Sequence, residues 1–421
     1  MGGAAAEETS VFGLAPVAPD RTIAYGEHPD QVVDFYFPPR GMPGDPPGGP
    51  SRGTLGDPPG GMPGDRPRGT LGDPPGGMSL DPLRGTPLDS PRGMSGELPG
   101  GLSLEPPRGT LGEPPEGTPL DSPRGMSGEL PRGTPLDPPR ETPGEPPGAR
   151  WAPRPAPLVL LFHGGAWRAP YDRRHVSPFA AFLAGRGLVV ASVEYRRGAV
   201  GADGEGSLEP SRPARAGRWP ETLDDIAAAV DTVPGLAREL GLPGGPGGPG
   251  AVDPDRVVLT GHSAGGHAAL WAAARHRLPS GTPWHLPSPS PLRGVVALAP
   301  IADFATARAL DVCSGAVGEL LGDGAELTAR LALADPAALL PTAIPTTIVQ
   351  GGTDIDVPPA VADAFAVAAA QAGQDVRLVR TEGGHFPLID PTTPVAHTVA
   401  DEIARLAGAP PAAWYRSPPA W

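Results

Sequence analysis

The sequence of 421 residues contains a single cysteine, no lysine and no apolar run long enough to span a membrane. The lone thiol of Cys313 excludes an intrachain disulfide and a cysteine metal cluster. The N-terminus has neither the basic nor the apolar region of a signal peptide, so we expect a soluble, cytoplasmic protein. The nine histidines show no H-E-x-x-H or comparable ligand spacing, so no protein-bound metal is expected. The net charge of -14 argues against nucleic acid or an anionic membrane as partner.

Proline and glycine are abundant instead, with 63 and 61 copies, and many lie in a repeat with a period of eight between Gly41 and Gly148. Each repeat has too little apolar surface to offset the cost of ordering the chain. A solenoid needs a regular apolar face, and collagen needs glycine at every third position; this repeat has neither. We therefore predict that residues 41–148 form a disordered insert. A Pro-rich docking segment for a partner is the functional alternative.

The remaining sequence predicts one α/β domain formed by residues 20–40 and 149–407, with flexible ends at 1–19 and 408–421. The run Pro157 to Phe162 is continuously apolar, as in a strand that is buried on both faces of a parallel sheet. From there strands alternate with segments of helix length. This alternation predicts a mostly parallel, doubly wound sheet of about eight strands, counting two short strands near the N-terminus.

The segment Thr260 to Gly266, T-G-H-S-A-G-G, follows an apolar strand and precedes an Ala-rich helical segment. Small residues two positions before and after Ser263 permit a sharp turn that exposes the serine Oγ at the carboxyl edge of the sheet. A G-x-S-x-G match also occurs by chance in ordinary loops. The hypothesis of a nucleophilic serine therefore depends on whether the other parts of such a site are present.

A second glycine-containing segment, His163 to Trp167 (H-G-G-A-W), directly follows the first buried strand. Acyl transfer needs two or more preorganised N–H donors aimed at the developing oxyanion. The backbone N–H groups of Gly164, Gly165 and Ala264 are the candidates. The alternative for the His-Gly-Gly segment is a plain turn.

A carboxylate and a histidine follow two later strands. Asp354 and Asp356 come after the strand that ends at Gln350, and His385 comes after Gly383 and Gly384. An acid at this edge can hold an imidazole in the tautomer that accepts a proton from a serine. Asp354 is preferred because it is nearer the strand end, whereas Asp356 could cap the next helix. The order serine, acid, histidine is that of one fold family.

The motifs GHSAGG, HGGAW, GGTDIDVP and GGHF together resemble the α/β-hydrolase superfamily, specifically its hormone-sensitive-lipase-like and kynurenine-formamidase-like esterase branch. The resemblance implies Ser263 as nucleophile, His385 as general base and then acid, and Asp354 as the orienting carboxylate. It also implies that no cofactor is used. The chain departs from the family pattern in the octapeptide insert and in the Gly-rich segment 198–206. The resemblance implies an oxyanion hole formed by Gly164, Gly165 and Ala264.

We therefore expect a serine hydrolase that cleaves small-molecule esters with small acyl or aryl groups through an acyl-enzyme. Arylformamidase activity on N-formylkynurenine is an alternative favoured by Trp167, and a non-catalytic binding protein on a hydrolase scaffold is a second. Trp167 and His262 are possible substrate-pocket residues, although Trp167 could instead pack under the loop and His262 could lie in the core or at the surface. His163 is expected to be structural rather than catalytic, because it is fixed beside the oxyanion loop and His385 already fills the role of the base.

Overall fold

A computed structural model of the chain describes residues 10–39, 155–198, 216–241 and 252–409. The predicted insert and almost all of the predicted C-terminal tail lie outside these ranges. Every described residue belongs to one compact unit of the chain. Within it, residues 10–19 make defined contacts: Val11 is buried, and the Val17 N–H donates to the Ser177 hydroxyl over 2.9 Å.

The described strands form one eight-stranded sheet in the order β1-β2-β4-β3-β5-β6-β7-β8. The strands are β1 Arg21–Ala24, β2 Val32–Tyr36, β3 Ala156–Phe162, β4 Val189–Val193, β5 Val252–His262, β6 Leu292–Leu298, β7 Thr346–Gly351 and β8 Val376–Thr381. The pairings of β1 with β2 and of β2 with β4 are antiparallel, and all the others are parallel. The predicted mostly parallel sheet of about eight strands is confirmed.

The helices that we label are α1 Ser177–Ala184, α2 Glu221–Leu240, α3 Ala264–Ala273, α4 Phe304–Ala309, α5 Ala316–Leu321, α6 Gly324–Ala334, α7 Pro359–Gln371 and α8 Pro394–Ala407. Residues of α1 and α8 share one apolar core, and residues of α2, α3 and α7 share another. Helices therefore cover both faces of the sheet, as in a doubly wound fold. None of the described helices is both long and apolar enough to cross a lipid bilayer.

Strand β3 shows how the sequence builds this two-sided core. Its residues are fully buried from Leu158 to Phe162. Leu158 and Leu160 belong to the core under α2, α3 and α7, whereas Val159 and Leu161 belong to the core under α1 and α8. Successive side chains of a strand point to opposite faces, so a central strand covered on both sides requires a continuous apolar run.

The carboxyl ends of four parallel strands bring the predicted motifs to one edge of the sheet. Phe162 at the end of β3 pairs with Gly261 in β5, and Gly351 at the end of β7 pairs with Thr381 at the end of β8. The loops that follow these ends carry the HGGAW segment, Ser263, Asp354 and His385 in turn. In open α/β sheets, ligands bind outside this edge.

Candidate active site

Ser263 occupies a strained turn between β5, which ends at His262, and α3, which begins at Ala264. Its backbone angles are φ 56° and ψ -117°, a conformation that side-chain-bearing residues rarely adopt. The Ser263 N–H donates to the carbonyl oxygen of Leu298 over 2.8 Å, which ties the turn to the end of β6. Backbone strain of this kind persists only where the surrounding structure enforces it, and it is concentrated at functional sites.

The glycines on either side of Ser263 are required by close backbone contacts. A Cβ on Gly261 would lie 2.2 Å from the carbonyl oxygen of Gly265, and a Cβ on Gly265 would lie 2.1 Å from the carbonyl oxygen of Phe162. Neither contact can be relieved by moving a flexible side chain, because both involve backbone atoms. The G-x-S-x-G spacing therefore reflects the strand-turn-helix geometry that the sequence predicts.

His385 and Asp354 are joined by a buried hydrogen bond of 2.7 Å from Nδ1 to Oδ2. The other oxygen of Asp354 accepts the backbone N–H groups of Asp356 and Val357, each over 2.9 Å. A carboxylate accepts hydrogen bonds, so His385 carries its proton on Nδ1 and leaves Nε2 as the basic nitrogen. The structure thus brings Asp354 to His385, whereas Asp356 contacts this carboxylate only through its backbone.

Glycines also fix how the two loops that carry the acid and the histidine meet. A Cβ on Gly351 would lie 2.0 Å from the carbonyl oxygen of Gly384. The N–H of Thr353 donates to the carbonyl oxygen of Gly383 over 3.0 Å. The side-chain amide of Gln350 donates to Asp354 Oδ2 over 3.1 Å. The acid loop and the histidine loop are therefore built as one unit.

The ring of His262 lies behind His385, with the ring centroids 4.3 Å apart. Its Nε2 is 3.0 Å from the backbone carbonyl oxygen of His385, which can only accept, so His262 donates from Nε2. Burial and the neighbouring His385 lower the pKa of His262 well below its ordinary value. His262 is thus a neutral ring that supports His385, and it is buried away from solvent.

Ser263 follows His262 directly, which brings the serine to the same end of the sheet as His385. Among the described residues, the Ser263 hydroxyl makes no hydrogen bond to the His385 ring; the interactions of Ser263 run through its backbone. Hydrogen bonds between a nucleophile and its base are often long without substrate and tighten when it binds. The structure therefore holds His385 in a fixed orientation at the end of the sheet where the backbone of Ser263 forms its strained turn.

The HGGAW loop lies against the serine turn. A Cβ on Gly164 would lie 2.9 Å from Nδ1 of His262 and 3.4 Å from Cβ of Ser263. Gly165, Ala166 and Trp167 have φ values of 104°, 51° and 55°, so the loop holds three successive residues in the left-handed region. Ala264 is the first residue of α3, where N–H groups have no acceptor within the helix. Gly164 and Ala264, two of the three predicted oxyanion donors, thus lie next to Ser263.

Trp167 is fully buried beneath this loop. Its ring meets those of His267 and Phe304 edge to face, with centroids 5.2 and 6.2 Å away. Its carbonyl oxygen accepts the N–H groups of Gly198 and Gly217, each over 2.8 Å. Of the two roles considered from the sequence, these contacts favour packing under the loop over lining a pocket.

Residues 210–368, which include Ser263 and Asp354, match the BD-FAE family. The chain is 31% identical over 127 residues to carboxylesterase NlhH of Mycobacterium tuberculosis, a match that covers 30% of this chain and 32% of that protein. It is 27% identical over 118 residues to the probable carboxylic ester hydrolase LipM of the same species, covering 28% and 21% respectively. The chain thus matches about a third or less of the length of these curated relatives.

Among solved structures, a truncated carbohydrate esterase from gut microbiota is 20% identical, with a TM-score of 0.45, and 60% of this chain and 87% of that chain are covered. Esterase B from Lactobacillus rhamnosis, inhibited by a tributyrin phosphonate, is 18% identical with a TM-score of 0.46, covering 61% and 78%. These likenesses are too weak to decide the family. The sheet order of this chain and the strained turn at Ser263 are those of the α/β-hydrolase fold. The lipase-like or formamidase-like branch stays a prediction.

Three residues that bear on this candidate site were not singled out from the sequence. Glu194 follows β4 and contacts His163; Gln350 contacts Asp354; Phe12 contacts Phe386. Glu194 could have been found by the criterion used for Asp354, an acid just after a parallel strand. No local pattern marks Phe12, because its contacts are all distant in sequence.

The single thiol of the chain is unsuited to nucleophilic attack. Cys313 Sγ lies 3.9 Å from the carbonyl oxygen of Asp356. Burial, together with the charge of Asp356, raises the pKa of Cys313 to about 12, so the reactive thiolate is scarce at neutral pH. In the part of the chain that the structure describes, no group of three or more His, Cys, Asp or Glu side chains could hold a metal ion.

Proposed function

We propose that this chain is a serine hydrolase that cleaves carboxylic esters through a covalent acyl-enzyme. The observation that carries the proposal is the 2.7 Å hydrogen bond between His385 and Asp354 at the sheet edge where Ser263 is held in its strained turn. A histidine oriented in this way is the general base that activates a serine. The names of the curated relatives, a carboxylesterase and a probable carboxylic ester hydrolase, support the same reaction class.

In the proposed reaction, Nε2 of His385 takes the proton of the Ser263 hydroxyl as Oγ attacks the ester carbonyl carbon. The resulting imidazolium is stabilised by Asp354 and gives its proton to the leaving alcohol as the C–O bond breaks. A water molecule, deprotonated by His385, then attacks the acyl-enzyme. Collapse of the second tetrahedral intermediate releases the acid and returns the proton to Ser263.

The developing oxyanion needs donors that are fixed before the reaction begins. We assign this role to the N–H groups of Gly164, Gly165 and Ala264. The proximity of Gly164 to the Ser263 Cβ supports the assignment. Loss of one such donor costs roughly 3 to 4 kcal/mol of transition-state stabilisation.

Apolar side chains around the two catalytic loops support a small acyl or aryl substrate. Phe12 and Ile355 are large apolar residues that remain exposed, at 39% and 69%. Ile355 follows Asp354 directly, and Phe12 contacts Phe386, which follows His385. Burying apolar groups of a substrate against such side chains is favourable by about 25 cal/mol per Å².

Arylformamidase activity is the second candidate, and the H-G-G-x-W pattern at His163 to Trp167 favours it. That support is weakened because Trp167 is fully buried and engaged in packing. Turnover of N-formylkynurenine compared with that of short p-nitrophenyl esters separates the two activities. We expect the esters to be the better substrates.

The decisive experiment is a substrate panel on the purified protein with Ser263→Ala as control, combined with labelling by a fluorophosphonate probe. The wild type should hydrolyse short-chain esters and take up the probe, and Ser263→Ala should do neither. A folded wild type that neither turns over any ester nor takes up the probe would favour a binding protein on a hydrolase scaffold. Equal turnover by Ser263→Ala would show that the nucleophile is misassigned.

A further inference from the structure

The ring of His163, at the start of the HGGAW loop, has a hydrogen-bond partner at each nitrogen. Nδ1 is 2.8 Å from the carbonyl oxygen of Gly164, and Nε2 is 2.8 Å from Oε1 of Glu194. A carbonyl oxygen can only accept, and an ionised carboxylate also accepts, so both ring nitrogens of His163 donate. A ring that donates from both nitrogens is an imidazolium. His163 and Glu194 thus form a buried ion pair.

The Glu194 carboxylate is held by several other donors. Oε1 accepts from the Arg197 guanidinium over 2.6 Å and from the Tyr195 N–H over 3.0 Å, and Oε2 accepts from the Arg173 N–H over 3.1 Å. Burial alone would raise the pKa of Glu194, but His163 and Arg197 outweigh it and lower this pKa to about 2. The carboxylate therefore stays ionised across the neutral range and remains an acceptor for His163 Nε2.

A second histidine ring, that of His175, meets His163 edge-on, with the ring centroids 5.8 Å apart. Burial and the positive charge of His163 lower the pKa of His175 to about 4. His175 is therefore neutral at pH 7. The Arg173 side chain, 3.6 Å from Glu194 Oε2, is itself bound by Asp34 over 2.7 Å, so this guanidinium is shared between two carboxylates.

The contacts of His163 and Tyr195 also fix the orientation of two backbone peptide groups in the HGGAW loop. In a planar trans peptide, the C=O of one residue and the N–H of the next point in opposite directions. By holding the Gly164 carbonyl, His163 sets the direction of the Gly165 N–H. The Tyr195 hydroxyl donates to the His163 carbonyl over 2.7 Å and in the same way sets the direction of the Gly164 N–H. The Tyr195 ring also stacks on His163 at 4.3 Å, nearly parallel.

We propose that His163, Glu194 and Tyr195 are positioning residues of the oxyanion hole, which hold two successive peptide groups so that the Gly164 and Gly165 N–H groups face the reacting carbonyl. The inference rests on the proposed function, since it concerns the donors assigned there. The loop needs such support because three of its residues lie in the left-handed region and would relax if released. A misplacement of about 1 Å near the reacting atoms can lower the rate about 100-fold.

The test compares kcat and KM on p-nitrophenyl acetate, with kcat expressed per active site titrated by the fluorophosphonate. Glu194→Ala removes the partner of His163, and we expect kcat to fall about 100-fold with KM little changed. Glu194→Gln keeps a side chain that can hydrogen-bond to Nε2 of a neutral His163. It should recover most of that loss, to within about tenfold of the wild type.

Tyr195→Phe removes the hydroxyl that holds the peptide group between His163 and Gly164, and it keeps the ring stacked on His163. It therefore tests the orientation of the Gly164 N–H with little risk to folding. We expect a fall in kcat of about tenfold, again without a matching change in KM. Glu402, in α8, provides a matched control because it is also buried and is held by two arginines, Arg377 and Arg405. Glu402→Ala should lower the melting temperature as Glu194→Ala does, but leave kcat per titrated site unchanged.

The outcomes separate this inference from the proposed function. If the wild type shows Ser263-dependent esterase activity but Glu194→Ala and Tyr195→Phe retain full kcat per titrated site, the positioning role is wrong and the function stands. If Glu194→Ala does not fold, Tyr195→Phe and Glu194→Gln decide the question alone. If the wild type has no Ser263-dependent activity, the proposed function and this inference fail together.

Discussion

Asp354 reaches His385 with one carboxylate oxygen, 2.7 Å from Nδ1, while its other oxygen is fixed by two backbone N–H groups. With the further hydrogen bond from Gln350, the acid cannot rotate without breaking four hydrogen bonds. Such a fixed carboxylate determines which nitrogen of His385 is protonated. This arrangement gives the first prediction.

Asp354→Asn should lower kcat by roughly 10⁴-fold, because the amide can present an N–H to His385 and favour the wrong tautomer. Esterase kinetics on p-nitrophenyl acetate measure the effect. Asp356→Asn is the comparison, since the Asp356 side chain is exposed and only its backbone N–H contacts Asp354. A larger loss from Asp356→Asn than from Asp354→Asn would reverse the assignment of the acid.

A second prediction concerns the contact between the acid loop and the histidine loop. Gly351→Ala would place a Cβ 2.0 Å from the Gly384 carbonyl oxygen, so the loop that carries His385 must shift. We expect kcat to fall by about 100-fold or more, as for a displacement near 1 Å. Gly352→Ala meets only an ordinary contact, 3.4 Å from the Thr381 carbonyl oxygen, and should retain activity. Equal losses would mean that the close contact does not set the position of His385.

The strained backbone of Ser263 should affect stability as well as activity. Because φ is 56° there, glycine suits this position better than alanine does. We expect both Ser263→Gly and Ser263→Ala to be inactive. The free energy of unfolding of Ser263→Gly should exceed that of Ser263→Ala by roughly 1 kcal/mol, measured by urea denaturation. A more stable alanine variant would show that the turn is not strained in solution.

The sheet and the candidate residues Ser263, Asp354 and His385 could be predicted from the sequence, because both follow from local patterns. Apolar runs such as Leu158 to Phe162 identify buried strands, and glycines beside Ser263 and His385 mark sharp turns at the strand ends. The support of the site could not be predicted in this way. His163 meets Glu194 across two neighbouring strands, and Phe12 meets Phe386 from the opposite end of the chain. Such pairs depend on the tertiary fold, which no local spacing encodes.

A fourth prediction concerns the pH dependence of stability. Asp335 is buried at the end of α6, and its carboxylate accepts the N–H groups of Phe304 and Ala337. Burial raises the pKa of Asp335 from 3.8 to about 6. A raised pKa means that the folded state binds this proton more tightly. The contribution of protonated Asp335 to the free energy of unfolding is therefore fully present below about pH 4 and is lost as the pH rises through about 6.

Asp335→Asn stays neutral at every pH and can still accept both N–H groups. It should therefore match the wild type in free energy of unfolding near pH 4 and exceed it above pH 6, by on the order of 3 kcal/mol. Urea denaturation at several pH values measures this difference. Asp255→Asn, at an exposed position, should show no such trend. A constant difference across the pH range would rule out titration of Asp335 as its source.

The last prediction concerns Phe12, the most N-terminal aromatic ring near the site. Its centroid lies 5.6 Å from that of Phe386 and 5.7 Å from that of Tyr171, so it bridges the loop after His385 and the loop after the HGGAW segment. It remains 39% exposed, which leaves apolar surface for a substrate. Phe12→Ala should raise KM for butyryl or aryl esters about tenfold and change KM for acetyl esters little, because roughly 1.4 kcal/mol of apolar contact is lost only with the larger group.

Val367→Ala is the matched control, because Val367 is another exposed apolar residue, on α7. It should leave KM unchanged for every ester in the series. If Phe12→Ala instead lowers kcat equally for all chain lengths, Phe12 stabilises the catalytic loops rather than binding the acyl group. Because the ring also contacts His175, at 5.4 Å, melting temperatures measured alongside the kinetics distinguish a loss of packing from a loss of substrate contact.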